Sequence, residues 1–165
     1  MVHAIIGRNG STIKKITQET NAWIHIHKKN NVGSLDKAIT IRGNPENCTN
    51  ACRKILEVLQ QKATNSSISG VILKILFYNN LIGIIIGEEG NTIRKIMLET
   101  ETKINVSSMI DVKIDNFHYK RICTIEGSIK NISKAEAQIS AKLRQSIENY
   151  LQSMSGYQIN VESVL

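Results

Sequence analysis

Two stretches of the chain carry the same succession of apolar and polar positions. Ile5 and Ile6 precede a polar turn bounded by Gly7 and Gly10, after which Ile13 and Ile16 fall at helical spacing. Ile85, Ile86, Gly87, Gly90, Ile93 and Ile96 repeat the pattern eighty positions later, and residues 5–27 and 85–107 agree at eleven of 23 positions. Self-similarity of that degree marks one structural unit used twice. Two copies are too few for a solenoid, so the pattern predicts two small domains in tandem. The first covers residues 1–62 and the second 71–155, with a polar linker at 63–70 and a C-terminal tail at 156–165.

The second copy is easier to divide into elements. The apolar, β-rich run Val71–Phe77 predicts a strand, and Leu81–Ile86 a short helix. After the glycine turn, Asn91 or Thr92 is placed to cap a helix running to about Glu99. Thr102–Ser108 alternates as a strand does, Met109–His118 is a polar loop, and Tyr119–Glu126 is a third strand. Gly127 and Ser128 open a long helix with Ile132, Ala135, Ile139 and Leu143 on one face. The first copy repeats the order: helix Ser11–Glu19, strand Ala22–Lys28, loop Asn30–Leu35 and strand Lys37–Arg42. Asn44-Pro45 then opens a helix with Cys48, Ala51, Ile55 and Leu59 aligned. A strand before the first glycine turn is missing from this pattern. Tyr157–Val161 alternates and offers a substitute edge, or is a surplus tail.

Charge distinguishes the two copies. The chain carries +7 overall, and residues 1–62 hold ten Lys/Arg against four Asp/Glu, whereas residues 63–165 hold eleven against ten. The first unit is the one that attracts an anionic partner. Met1–Ile6 is too short for a secretory signal, and no apolar run reaches membrane-spanning length. Three cysteines without framework spacing, Cys48, Cys52 and Cys123, suit a reducing compartment. Neither a Ser/His/Asp set, nor a paired-carboxylate motif, nor a Walker sequence is present, so the sequence predicts no enzyme and implies no cofactor or metal. His25 and His27 lack the further Cys/His spacing of a metal site.

The order strand–helix–GxxG–helix–strand–loop–strand–helix resembles the K homology domain in its type I arrangement. That implies an α+β fold (β-α-α-β-β-α), with a three-stranded antiparallel sheet packed on three helices and, in the first copy, no opening strand. It further implies binding of single-stranded nucleic acid, the loop clamping about four nucleotides. Glycines let backbone approach phosphate closely, and a helix N-terminus favours an anion. The candidate RNA-binding residues of the first copy are Ile6, Gly7, Arg8, Asn9, Gly10 and Ser11 at the loop, and Lys14 and Lys15 on the helix. His25, His27, Lys28 and Arg42 join them from the strands. For Lys14 and Lys15 the plain alternative is a solvated helix face. Aromatics make up only 4% of the chain, with one Trp, which argues for an aliphatic groove rather than stacking platforms.

The second loop departs from the pattern. Gly87-Glu88-Glu89-Gly90 would set two carboxylates against phosphates, offset in part by Arg94 and Lys95, so the second copy is expected to bind weakly or not at all through Gly87 and Gly90. Beyond the loops, Asn31–Ile41, Gly43–Cys52, Asn79–Gly83 and Ala135–Ser146 resemble the first and second such domains of the insulin-like growth factor II mRNA-binding (Imp, zipcode-binding) family. That resemblance implies mRNA as partner and other ribonucleoprotein components beside it, in cytoplasmic granules, with control of mRNA transport, stability or translation. Nuclear shuttling stays open, as does packing of one unit on another within the chain or in a homodimer. The competing expectations are a scaffold that kept the fold without binding RNA, and single-stranded DNA as ligand.

Overall fold

The computed structural model describes residues 5–27, 37–63, 71–108, 112–113 and 119–162. In the first unit, Ile5 and Ile6 end a helical segment and the glycine turn leads into α1 (Ser11–Thr20). Strands β1 (Trp23–Ile26) and β2 (Ile39–Arg42) pair antiparallel, Trp23 opposite Arg42 and Ile26 opposite Ile39. Helix α2 (Pro45–Ala63) follows, and Asn44 caps it as expected, its Oδ1 accepting from Asn47 N–H at 2.8 Å. In the second unit β3 (Val71–Tyr78) precedes α3 (Ile82–Ile86), α4 (Asn91–Thr100) and β4 (Lys103–Val106). The short β5 (Val112–Lys113), β6 (Tyr119–Gly127) and α5 (Ile129–Glu162) complete it.

The second sheet has order β3-β6-β4, antiparallel throughout, with β5 added on β6. This is the expected mixed α+β architecture. It differs in detail: part of the predicted loop 109–118 is strand β5, and among the described residues the first sheet is two-stranded. Tyr157–Val161, read above as either a substitute edge strand or a surplus tail, is not a strand but backbone of α5, which continues to Glu162. Upstream, α5 is long and uninterrupted, and adding a residue to an existing helix costs far less than opening a new strand. The predicted cap also differs. Gly10 and Gly90 take the N-cap positions of α1 and α4, both left-handed and without a side-chain cap. Lys28, the loop Asn30–Leu35 and the linker from 64 to 70 lie outside the described residues.

Each unit buries its own apolar face. Ile5, Ile16, Ala22, Ala51 and Ile55 form the first core, with Ile24, Ile26, Ile39 and Ile41 packed on it from the sheet. The second is built on Ile82, Ile85, Ile96, Ile104, Cys123, Ile125, Ile132, Ala135 and Ile139. Leu56, although on α2, belongs to the second core, with Cys52 packed against it. Helix α2 therefore serves both units, and it packs along α5, where Thr49 Oγ1 donates to Glu136 Oε2 at 2.6 Å. Packing of the two units within the chain, one of the options above, is present. No helix among the described residues is long and apolar enough to cross a membrane.

Candidate nucleic-acid interface

The two glycine turns have the same backbone. Gly7 lies at φ 70, ψ −179 and Gly87 at φ 73, ψ 178; Asn9 at 52, 27 and Glu89 at 49, 21; Gly10 at 78, 14 and Gly90 at 79, 13. Three of the four turn residues in each copy thus have positive φ, where an L side chain crowds the backbone. Asn tolerates that region better than Glu, so the second loop holds a conformation that its third residue disfavours.

The first glycine has an additional constraint. A Cβ on Gly7 would stand 2.3 Å from Thr12 Oγ1, and one on Gly87 2.1 Å from Thr92 Oγ1. That side of the glycine is therefore filled by the chain itself rather than left open for a phosphate. At Gly10 the nearest atom to such a Cβ is Ile13 Cγ2 at 3.9 Å, so it is the second glycine that leaves the backbone approachable. The sequence offered Thr92 only as a helix cap and did not single out Thr12, so the packing of both against the first glycine was not foreseen. Their signal was a threonine kept at the same offset in both copies.

The polar side chains around the turns differ. Arg8 and Asn9 are exposed in the first loop, Glu88 and Glu89 in the second. Ile6 and Ile13 flank the first turn half-buried. Arg94 Nη2 donates to the Glu89 carbonyl and, at 3.0 Å, to Asn91 Oδ1, which ties its guanidinium to its own loop. Ser11 and Lys14 stand at the Asn91 and Arg94 positions in the first copy, and Lys14 is exposed. Lys15 and Lys95 lie 3.8 and 3.7 Å from Glu19 and Glu99, both three-quarters exposed, an arrangement that contributes little to stability. Glu19 also meets Lys54 Nζ at 2.6 Å, and that hydrogen bond, with smaller effects of charge, holds its carboxyl below the ordinary value.

The sheet separates the remaining candidates from the loop. Ile24 and Ile26 face the helices, so Trp23, His25 and His27 face outward. There the rings of Trp23 and His25 stack, centroids 5.5 Å apart and 7° from parallel, and His27 meets His25 edge-on at 4.9 Å. Arg42 Cζ lies 5.0 Å from the Trp23 ring centroid, and His27 Nε2 and Thr40 Oγ1 are 2.9 Å apart. The predicted set thus falls into two groups: Ile6, Gly7, Arg8, Asn9, Gly10, Ser11, Lys14 and Lys15 in the helix layer, and His25, His27 and Arg42 on the outer sheet face. Trp23, which the low aromatic content hid, belongs with the second group. The cysteines take no part. Burial pushes the Cys52 thiol up to about 12 and Cys123 to about 11, and raises Cys48 as well.

Among known proteins, the KH domain family model matches residues 1–57 and again residues 72–141. Solved structures similar to the chain include the a/eIF2alpha–aDim2p–rRNA complex from Pyrococcus horikoshii, at 19% identity and TM-score 0.33. That match covers 92% of this chain and 86% of that one. A protein of unknown function from Aeropyrum pernix matches at 18% identity and TM-score 0.27, over 97% and 92% of the two chains. Dim2p from Pyrococcus horikoshii matches at 17% and 0.27, over 87% and 90%.

Proposed function

The chain belongs to the KH domain family, and from that we propose that it binds single-stranded RNA, with the Gly7–Gly10 loop of the first unit as its main clamp. The observation that carries this is a contrast: one backbone turn is built twice, and it presents Arg8 and Asn9 in the basic unit but Glu88 and Glu89 in the other. A strand laid along the first loop meets the open side of Gly10, the start of α1 and the exposed Lys14 side chain. All three favour an anion. Bases then lie over aliphatic surface such as Ile6 and Ile13. Along the second loop the same strand meets two carboxylates, and Arg94, tied to the loop carbonyl, is not available to offset both.

Lys15 adds field rather than a contact, because Glu19 sits beside it. The second unit serves mainly to complete the packing around α2. On the resemblance to the insulin-like growth factor II mRNA-binding family, the RNA is messenger RNA. The protein then acts without catalysis, in cytoplasmic ribonucleoprotein, on mRNA transport, stability or translation. Fluorescence anisotropy of short single-stranded RNA, single-stranded DNA and duplex RNA at two salt concentrations tests the proposal. It requires RNA binding that weakens as salt rises, roughly 0.7 log units per neutralised phosphate per log unit of salt. Equal, salt-independent or absent binding of all three would reject it.

A further inference from the structure

We propose that the outer face of the β1–β2 sheet is a second contact surface for single-stranded RNA, on which Trp23 stacks against a base and Arg42 holds the adjoining phosphate. This rests on the RNA-binding reading above and adds to it a site on the other side of the sheet from the glycine loop.

Trp23 is half exposed, on a strand whose opposite face, Ile24 and Ile26, packs against the core. It stands in a row of planar groups, parallel to His25 and capped by the Arg42 guanidinium, with His27 closing the far end edge-on. The row is held in place rather than free: Trp23 and Arg42 are cross-strand partners, and Thr40 holds His27. A ring that presents a π-face beside a guanidinium offers what one nucleotide needs, a plane for the base and a cation for the phosphate. Arg42 is exposed, so its guanidinium swings from ring to phosphate without disturbing the core and leaves the Trp23 face to the base.

The fold does not need this row. In the second unit the same register sets Lys103 opposite Glu126, where the first has Trp23 opposite Arg42. Asn105 and Ser107 stand in the places of His25 and His27. The second unit builds the same strand pair from an ordinary charged and polar face. The aromatic row is therefore an addition to the unit that also carries the excess positive charge and the basic loop.

Trp23 is the only tryptophan of the chain, so its emission reports on this face alone. Titration of the full chain with single-stranded RNA should quench that emission with the same midpoint that anisotropy gives, and duplex RNA should not. Trp23→Ala should weaken binding on the order of ten-fold and Trp23→Phe much less, with melting temperatures close to that of the parent. Arg42→Gln should lower the salt slope by about one contact. With the first loop made acidic (Arg8→Glu with Asn9→Glu), the weaker binding that remains should still quench Trp23. Binding that leaves Trp23 emission unchanged, with Trp23→Ala as tight as the parent, overturns this site and leaves the loop clamp standing. Absence of binding by anisotropy overturns both.

Discussion

Because the two glycine turns share one backbone within a few degrees, the second can be given the residues of the first without rebuilding it. In Glu88→Arg with Glu89→Asn, two carboxylates leave and one guanidinium arrives. At about 4 Å in water each like-charge contact costs about 1 kcal/mol, so relieving two gains about 2 kcal/mol, roughly thirty-fold in affinity. The salt slope should steepen by about 0.7 for one added phosphate contact to a single strand. A second effect runs through the backbone. Glu89 sits at φ 49, ψ 21, and Asn at that position should recover about 1 kcal/mol of stability. For a domain of this size that raises the melting point by roughly 4–8 °C. The substitutions are best placed in a chain whose first loop is already acidic, so that binding regained reports the second loop alone. Anisotropy with single-stranded RNA gives the affinity, and calorimetry the stability. A variant that melts higher yet regains no affinity would show that charge is not what silences the second loop.

Other consequences concern stability. Gly7→Ala should cost about 2–4 kcal/mol, because it adds the collision with Thr12 to the strain of positive φ, against about 1 kcal/mol for Gly10→Ala, where the space is open; urea unfolding separates the two. Leu56→Ala, although on the first unit, should destabilise the second by about 2–5 kcal/mol, seen as faster amide exchange in β6 and α5. The thiols set a limit at high pH. Below their ordinary value of 9.0 both folded and unfolded chains keep them protonated. Above it the unfolded chain ionises, while native Cys123 and Cys52 hold their protons to about 11 and about 12. Stability should therefore fall as pH climbs from 9 through that range, and a thiol reagent at pH 8 should leave Cys52 and Cys123 unmodified until the chain unfolds.

The elements were legible where apolar spacing had a clear period. Strands β3, β4 and β6, the helices after each turn and the Asn44 and Ser128 caps all fall where the pattern set them. Positions where two periods compete were harder. Tyr157, Ile159 and Val161 alternate as a strand would, yet the helix begun at Ile129 carries through them. The cap of α4 was misplaced because Asn91 and Thr92 look like good caps, whereas the turn already puts a left-handed glycine, Gly90, there. The double role of α2 was hidden because Ala51 and Ile55 define its apolar face, and Leu56 and Cys52 on its flank show their use only against a second unit. Composition also hid the row of rings on β1. An average of 4% aromatics says little about three rings set two residues apart on one strand face.

The claim that the first loop does most of the binding is tested most directly one amide at a time. In a titration of the labelled chain with a short single-stranded RNA, the backbone amide signals of Gly7 and Gly10 should move at RNA concentrations that leave those of Gly87 and Gly90 in place. Movement of the second pair together with or ahead of the first would contradict the account.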